Sequence, residues 1–207
     1  MKILIFGATG SVGRHVVGQG LERGHEVTAF VRDPSGLEVE HERLTVFRGD
    51  VLDGASVEGA VRGRGAVLCS IGAGRKGRVR SEGTRNIIRA MEGAGVRRLV
   101  CQSTLGAGQS SGNLDFFWKH VMFGLLLRGA FADHEQQEEH VKNSALDWTI
   151  VRPAAFTDGG RTGEYRHGFP PTKKGLKLKI SRADVAGFML DLLADDTYLR
   201  QTPGLSY

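Results

Sequence analysis

The sequence has only two cysteines in 207 residues and no apolar run long enough to cross a bilayer. Cys69 and Cys101 each lie inside an apolar run, so we expect small buried side chains and no disulfide framework. The absence of a long apolar run excludes stable insertion into a membrane. No basic-then-apolar leader opens the sequence, because the first strand is predicted to start at residue 2. We therefore expect a protein of the reducing cytoplasm.

Two further absences restrict the classes of ligand. The histidines, His140 and His167 among them, lack metal-ligand spacing with any second ligand, so no metal site is predicted. The net charge of +5 comes from Lys and Arg residues spread over many segments without an aromatic-rich basic motif, so no nucleic-acid partner is predicted. The densest basic cluster indicates either a solvated loop or a group that steers an anionic cofactor or substrate. It consists of Arg75, Lys76, Arg78 and Arg80.

What the sequence does have is a glycine-rich turn between an apolar run and an amphipathic segment. The run Ile3–Phe6 leads directly into Gly7-Ala8-Thr9-Gly10-Ser11-Val12-Gly13, and a second apolar run ends at Val31. Gly7 permits a tight turn, Gly10 lets the backbone approach a diphosphate, and Gly13 lets the new helix pack closely on the sheet. The helix N-terminus then presents free N–H groups to the anion. This context predicts a dinucleotide-binding unit.

Apolar runs alternate with helical patterns along the whole chain. Strands are predicted at 2–6, 26–31, 44–48, 66–70, 98–103, 147–152 and 176–180. Helices are predicted at 11–22, 55–62, 82–94, 114–126, 132–144 and 182–194. Such alternation specifies the α/β class, with a Rossmann-like, doubly wound parallel sheet in three α/β/α layers. We expect one domain over 1–207, with small substrate-side elements near its C-terminus and the strand order 3-2-1-4-5-6.

The segment 113–131 is unusually apolar but is interrupted by Lys119 and Arg128. A core helix is the favoured interpretation. A lid over an apolar ligand and a dimer face remain alternatives, so the chain is expected to be a monomer or a homodimer.

The type of dinucleotide is indicated by the end of the second strand, where a carboxylate would bind the ribose 2′-hydroxyl. This chain has Arg32 there, with Arg14 at the start of the first helix and Ser35 nearby. Guanidinium groups and a hydroxyl suit a 2′-phosphate. Asp33 follows immediately, but alternation along an extended strand directs it away from Arg32. NADP(H) is therefore predicted in preference to NAD(H).

Two other strand ends supply candidate cofactor contacts. Asp50 follows the third strand, where its carboxylate is either an acceptor for the adenine amino group or a turn and helix-capping group. Ser70, Ile71 and Gly72 follow the fourth strand, opposite the first glycine turn. Their small size would let the ribose and diphosphate approach the backbone.

Several motifs together resemble the atypical short-chain dehydrogenase/reductase group, which includes NmrA-like NAD(P)H-binding proteins and flavin reductases of the biliverdin-IXβ type. The motifs are IFGATG (5–10), VRD (31–33), GDV (49–51), SEGTRN (81–86), DWTIVRP (147–153) and ISRADVA (180–186). The resemblance covers essentially the whole chain and is more specific for fold and cofactor than for substrate.

The resemblance implies roles for individual residues. It places Ser103 beside the nicotinamide, and His134 at the position of an active-site histidine of the flavin reductases. With the neighbours of the glycine turn and strand ends included, the predicted cofactor contacts are Gly7, Thr9, Gly10, Ser11, Val12, Gly13, Arg14, Arg32, Asp50, Ser70, Ile71, Gly72 and Pro153. Ala155 stands where those reductases have a second histidine. A bile pigment is therefore not expected as the natural substrate.

The chemistry expected at the site follows from the absence of a tyrosine–lysine pair. Typical short-chain dehydrogenases, in contrast to this atypical group, reduce carbonyls with a tyrosine followed four residues later by a lysine. None of Tyr165, Tyr198 and Tyr207 is followed by such a lysine. A flavin or quinone accepts hydride directly into its conjugated ring and needs little further acid catalysis. We therefore expect an NADPH-dependent reductase of a flavin, quinone or similar small conjugated acceptor.

Polar groups for this reaction are few. Ser103 is predicted to bind the nicotinamide ribose or the acceptor, with a purely local backbone contact as the alternative, and Thr104 is adjacent. His134 would donate a proton near neutral pH or would be an ordinary helix histidine. Glu138, one turn later, would raise the pKa of His134 or simply pair with it. Asp184 is predicted to be structural, three residues after the helix cap Ser181.

Two other functions fit parts of the sequence. A non-catalytic sensor that binds NADP(H) and reports its redox state through a partner would equally lack the tyrosine–lysine pair. An epimerase or dehydratase acting on a nucleotide sugar is disfavoured, because the region after residue 153 leaves little room for a sugar-nucleotide domain.

Overall fold

A computed structural model describes residues 1–72, 79–114 and 127–207. Within them the strands are β1 (Lys2–Phe6), β2 (Glu26–Val31), β3 (Leu44–Arg48), β4 (Ala66–Cys69), β5 (Arg98–Gln102), β6 (Asp147–Pro153), β7 (Ala155–Thr157), β8 (Arg166–His167), β9 (Lys179–Ser181) and β10 (Gly204–Ser206). The helices are α1 (Gly13–Glu22), α2 (Gly54–Val61), α3 (Val79–Ala94), α4 (Arg128–Lys142) and α5 (Arg182–Asp191). Short 3₁₀ turns cover Pro34–Gly36 and Gly108–Asn113.

The main sheet has the order β3-β2-β1-β4-β5-β6-β10-β8. Every pair in it is parallel except β10 with β8. The predicted order 3-2-1-4-5-6 is therefore confirmed, and so is the Rossmann-like α/β class. The prediction did not include β10 and β8. Strands of three and two residues are too short to produce a period-two pattern in the sequence.

Helices cover both faces of the sheet because successive strand residues point to opposite sides. Ile3 and Ile5 pack with α1 and α5, whereas Leu4 and Phe6 pack with α2, α3 and α4. All four of these β1 side chains are completely buried. The near-continuous apolar character of β1 thus reflects burial on both faces, as is usual for a parallel sheet.

The helices predicted at 114–126 and 132–144 fall within and just after the second gap in the described residues. The helix predicted at 114–126 lies almost wholly outside the described residues, and so does most of the apolar segment 113–131. The end of that segment, from Arg128, belongs to α4, which begins four residues earlier than the predicted 132. The basic residues Arg75, Lys76 and Arg78 also lie outside the described residues.

The two cysteines are neighbours across β4 and β5, where Cys69 is in register with Cys101. Both are free thiols and almost completely buried. The expectation of small buried side chains without a disulfide is confirmed.

The C-terminal region adds a small parallel sheet of β7 and β9 beside the carboxyl end of β6. The strand predicted at 176–180 is shorter and later, at Lys179–Ser181. Ser181 caps α5, because its hydroxyl oxygen accepts a 3.0 Å hydrogen bond from the Asp184 amide. The Asp184 carboxylate accepts hydrogen bonds from the Thr162 and Gly163 amides and from the Tyr207 hydroxyl. Asp184 therefore has a structural role, as predicted, and it also anchors the loop at Thr162 and Gly163, which was not predicted.

Across residues 1–72, 79–114 and 127–207, every helix is too short or too polar to serve as a membrane span. The same part of the chain contains no group of three or more His, Cys, Asp or Glu side chains suited to hold a metal ion.

Candidate active site

The glycine turn after β1 is shaped by contact with the end of β4. Gly7 has a positive φ of 79°, and a Cβ there would lie 2.5 Å from the Ser70 carbonyl oxygen. A Cβ on Gly13 would collide with the Gly7 carbonyl group. Side chains at these two positions would separate β1, β4 and α1, so both glycines are required by close backbone packing.

Gly10 closes the turn, and its amide donates a 2.9 Å hydrogen bond to the Gly7 carbonyl oxygen. Its own Cβ position lies 3.0 Å from that oxygen, beside the cavities described below. At the start of α1, the amides of Arg14, His15 and Val16 donate to the carbonyl oxygens of Gly10 and Val12. The backbone amides left to meet a diphosphate are therefore those of the turn itself, at Ser11, Val12 and Gly13.

One cavity, the Arg32 cavity, lies over the carboxyl ends of β1 to β3 and has a volume of about 300 Å³. Its lining residues are Phe6, Gly7, Thr9, Gly10, Phe30, Val31, Arg32, Asp50, Val51, Leu52, Ile71, Gly72 and Val79. Seven predicted cofactor contacts thus lie together in this lining: Gly7, Thr9, Gly10, Arg32, Asp50, Ile71 and Gly72.

The charged groups around the Arg32 cavity have distinct environments. The Asp33 carboxylate accepts a 3.0 Å hydrogen bond from the Ser35 amide, and this bond lowers the pKa of Asp33. Asp33 does not line the cavity, whereas Arg32 does, in agreement with the predicted alternation. Arg14 donates a 3.4 Å hydrogen bond to the Thr9 carbonyl oxygen and lies outside the lining. Asp50 accepts a 2.9 Å hydrogen bond from the Leu52 amide, so it has the turn-forming role that was one of its two predicted roles.

A second cavity, the His134 cavity, has a volume of about 360 Å³. It is lined by Gly10, Ser11, Val12, Ser70, Ile71, Gly72, Arg80, Gln102, Ser103, Thr104, Leu105, Leu114, Leu127, His134, Pro153, Ala154, Ala155, Phe156 and Leu178. It shares Gly10, Ile71 and Gly72 with the Arg32 cavity. The two cavities therefore meet at the glycine turn and form one groove across the junction of β1 and β4. This junction is the switch point at which ligands of such sheets bind.

Ser103 and His134, the two predicted catalytic residues, meet in this cavity. Ser103 follows the last residue of β5, and its hydroxyl lies 3.4 Å from His134 Nδ1 on α4. Ser103 is almost fully buried. Its hydroxyl is thus directed to a side chain from another element, rather than to local backbone.

The protonation state of His134 differs from the expectation. Burial lowers the pKa of His134 to about 3, the positive charge of Arg80 lowers it further, and Glu138 opposes the shift. The imidazole is therefore neutral near pH 7 and is not a cationic acid. The cavity wall removes the solvent that would stabilise the charge, so donation of a proton by His134 near neutral pH stays a prediction and would start from the neutral ring.

Arg80 and Asp133 hold α3 and α4 together beside His134. The Asp133 carboxylate accepts hydrogen bonds from the backbone amides of Arg80 (3.2 Å) and Ser81 (3.0 Å) at the start of α3. The Arg80 side chain donates to the Ile71 carbonyl oxygen (3.2 Å) and to Asp133 (3.5 Å). A buried cation thus lines the cavity next to the histidine.

Glu138 has a different role from the one expected. Its carboxylate accepts hydrogen bonds from Arg152 Nε (2.8 Å) and from Lys142 Nζ (2.8 Å). Burial raises its pKa, but these two cations outweigh burial and leave the pKa below its ordinary value. Glu138 therefore acts as the counter-charge of Arg152. It raises the pKa of His134, but this effect is smaller than the lowering by burial and by Arg80.

The outer wall of the cavity comes from β7 and the residue before β9. Phe156 lies here and is 36% exposed, and the Arg182 guanidinium stands 5.3 Å from its ring centroid. Leu178 has a positive φ of 52°, a conformation that costs a leucine roughly 1–2 kcal/mol. Strain at a cavity wall indicates that the position of the Leu178 side chain is imposed by its surroundings.

Several wall residues were not predicted from the sequence, among them Gln102, Phe156 and Leu178. Arg80 was predicted only as part of a basic cluster. Gln102 directly precedes the predicted Ser103, so its place at a strand end was a usable signal. Phe156 and Leu178 are 22 residues apart, and their proximity depends on the pairing of β7 with β9.

Comparisons with known proteins agree with this geometry. The model of the NAD(P)H-binding family matches residues 7–196, so the chain belongs to that family. The predicted membership of an NAD(P)H-binding family is confirmed. The chain is 28% identical to the yeast UPF0659 protein YMR090W of Saccharomyces cerevisiae, over 93% of this chain and 87% of that protein.

Two reductases are also similar. The solved structure of ChuY, an anaerobillin reductase from Escherichia coli O157:H7, superposes with a TM-score of 0.82 at 26% identity, over 99% of this chain and 96% of ChuY. Divinyl chlorophyllide a 8-vinyl-reductase of Oryza sativa subsp. indica is 28% identical over 94% of this chain. The chain spans only 51% of the length of that plant enzyme.

Proposed function

We propose that this member of the NAD(P)H-binding family is an NADPH-dependent reductase of a planar conjugated acceptor of the flavin or quinone class. The observation that carries the proposal is the His134 cavity: an apolar recess that opens from the glycine turn and has a buried serine–histidine pair in its wall. A cavity of about 360 Å³ falls in the lower part of the usual range for small-molecule sites.

The residues around the glycine turn are those that would hold the cofactor. The Gly10 backbone and the amides of Ser11, Val12 and Gly13 would bind the diphosphate. Arg32, which lines the Arg32 cavity, would bind a 2′-phosphate, and this supports NADPH over NADH. Bound NADPH would supply a hydride at the Ser103 end of the groove.

The acceptor would lie between that end of the groove and the apolar wall. Leu105, Leu114, Leu127, Phe156 and Leu178 provide a surface that excludes water and packs against a flat ring. Aromatic stacking on Phe156 would contribute about 0.5–1.5 kcal/mol beyond burial. Exclusion of water also protects the transferred hydride from side reactions.

Reduction of a quinone or flavin consumes one hydride and one proton, and the chain supplies the proton path. The Ser103 hydroxyl would donate a proton to the reduced acceptor and recover one from His134 Nδ1. A neutral imidazole can do this if its other nitrogen takes up a proton from solvent at the same time. The low pKa of His134 is therefore compatible with a proton relay through the neutral imidazole, and not with an imidazolium that acts as a general acid.

A linear tetrapyrrole is the second candidate acceptor, because ChuY is similar over nearly its whole length. Ala155 lines the cavity without adding a polar group, so recognition of a tetrapyrrole would depend on the apolar wall. A redox sensor without catalysis remains the alternative from another class.

The test is oxidation of NADPH, followed at 340 nm, with FMN, menadione and biliverdin as separate acceptors. We expect turnover with FMN or menadione that exceeds turnover with biliverdin. If biliverdin is the only one of the three acceptors that is reduced, the acceptor belongs to the tetrapyrrole class instead. Tight NADPH binding without turnover of any acceptor would favour the sensor.

A matched control separates active-site chemistry from background reduction. Serine to alanine at position 103 removes the hydroxyl from the cavity, whereas the same change at Ser144, which lines neither cavity, leaves the His134 cavity unaltered. Turnover that falls in the first variant and persists in the second supports the proposed site.

A further inference from the structure

Gln102 combines two features that no other described residue combines: it lines the His134 cavity, and it carries a buried polar atom with no hydrogen-bond partner. The atom is Oε1, the side-chain carbonyl oxygen. The other buried polar atoms without partners in the described part of the chain belong to Gln19, His25, Arg98, Gln137 and Arg182. None of those residues lines the Arg32 or the His134 cavity.

A buried carbonyl oxygen without a donor costs about 1–3 kcal/mol of stability. Such a group in a cavity therefore calls for an explanation, and a donor on the ligand is the simplest one. The backbone position of Gln102 is fixed by the sheet. It is the last residue of β5, is paired in register with Val151 of β6, and directly precedes Ser103.

We propose that Gln102 Oε1 accepts a hydrogen bond from a ring N–H of the acceptor, so that the enzyme selects conjugated acceptors with an N–H group over quinones. This inference rests on the proposed function and narrows its substrate class. The N–H would be the imide of a flavin or a lactam or pyrrole N–H of a tetrapyrrole. Quinones have the same flat conjugated ring but no such donor.

The remaining polar groups of the cavity fit this assignment. Ser103 and His134 bond to each other, and Arg80 is bound to Ile71 and Asp133. Among the described residues that line the His134 cavity, Gln102 is thus the one whose buried polar atom has no hydrogen-bond partner. A site with a fixed acceptor discriminates strongly against a ligand that lacks the matching donor.

The test compares lumiflavin with 3-methyl-lumiflavin, which differ only in the flavin imide N–H, and uses menadione as a ring without N–H. We expect the enzyme to reduce lumiflavin about tenfold faster, in kcat/KM, than its methylated analogue. In Gln102→Leu this ratio should fall to near one, while menadione reduction changes less than twofold. Gln19→Leu, the same change at a glutamine outside the cavity, should keep the ratio. Biliverdin, assayed in parallel, shows whether Gln102 recognises pyrrole-type N–H groups in the same way as the flavin imide N–H.

A binding measurement makes the inference independent of turnover. Quenching of flavin fluorescence is titrated with protein saturated with NADP⁺, and the two flavins are compared. Equal dissociation constants in the unmodified protein would overturn the inference, as would an equal loss of menadione turnover in Gln102→Leu. A Gln102→Leu variant that loses NADPH affinity instead would assign the oxygen to the nicotinamide amide. Absence of turnover with a preserved binding difference would overturn the proposed function and leave Gln102 recognition intact.

Discussion

Arg152 of β6 and Glu138 of α4 form a buried ion pair in which Arg152 donates two hydrogen bonds, of 2.8 Å and 2.5 Å, to the carboxylate. Both side chains are almost completely buried. Glu138 lies one helical turn after His134, and Arg152 directly precedes Pro153 of the cavity wall. The pair therefore fixes the distance between the helix that carries the histidine and the strand that ends at the cavity.

Replacement of Glu138 by glutamine should lower the free energy of unfolding by about 3–5 kcal/mol, because it leaves the Arg152 charge buried without a counter-charge. Urea denaturation at pH 7 measures the effect. Glu139→Gln, an exposed neighbour on the same helix, should change stability by less than about 0.5 kcal/mol. The low pKa of Glu138 adds a pH dependence: its stabilising effect is complete above pH 4.5 and is lost as the pH falls through the lower native pKa. Equal stability of the two variants would contradict the assigned role.

Gly10→Val should weaken NADPH binding about 100-fold, or roughly 2.7 kcal/mol, because the side chain would occupy the proposed diphosphate position. Isothermal titration calorimetry gives the affinity, and circular dichroism checks the fold. Gly18→Val on α1 is the matched control, since a Cβ at Gly18 meets no atom within 4 Å. Unchanged affinity in Gly10→Val would place the cofactor elsewhere.

Arg32→Asp should shift the preference from NADPH toward NADH, because it replaces a cation by a carboxylate that repels a 2′-phosphate and binds a ribose hydroxyl. We expect the dissociation constant for NADPH to rise 10- to 100-fold, the value of one charge-assisted hydrogen bond of about 1.5–3 kcal/mol. Arg89→Asp on the exposed side of α3 carries the same charge change outside both cavities. Arg89→Asp should leave the ratio of NADPH affinity to NADH affinity unchanged. If Arg32→Asp leaves this ratio unchanged as well, Arg32 does not contact the phosphate.

Ser103→Ala should reduce kcat about 10- to 100-fold while NADPH affinity changes less than threefold, because the hydroxyl is proposed to move a proton and not to hold the cofactor. Steady-state kinetics and a direct NADPH titration provide the two values. Ser103→Thr retains the hydroxyl and should recover part of the rate. Parallel losses of kcat and of cofactor affinity would indicate a positioning role alone.

The pH dependence of turnover should show no inflection near pH 6.5, because His134 stays neutral down to a pKa of about 3. The same shift affects stability. Between pH 3 and 6.5 the unfolded chain binds a proton at this histidine that the native protein does not, so stability rises with pH in that range. His134→Asn should flatten this part of the stability profile. A rate profile with a step near 6.5 that disappears in His134→Asn would show that the imidazole is charged in the working enzyme.

Much of this architecture could be read from local pattern. The glycine spacing from Gly7 to Gly13, the apolar strand runs and the position of Arg32 gave the fold class, the strand order and the predicted cofactor groove. These features depend on backbone sterics and on side-chain periodicity over a few residues, which the sequence states directly. The meeting of Ser103 and His134 came from a family resemblance, since 31 residues separate them.

Other features arose only when distant segments came together. The neutral state of His134 needs the burial supplied by α4 and the cavity wall, and the charge of Arg80 on α3. The buried partner of Glu138, Arg152, is 14 residues away on β6, although the sequence spacing of Glu138 pointed to His134. The unsatisfied oxygen of Gln102 and the strained backbone of Leu178 likewise exist only in the folded chain. Sequence periodicity determines which faces are buried, but pKa values and hydrogen-bond partners depend on distances that only tertiary packing fixes.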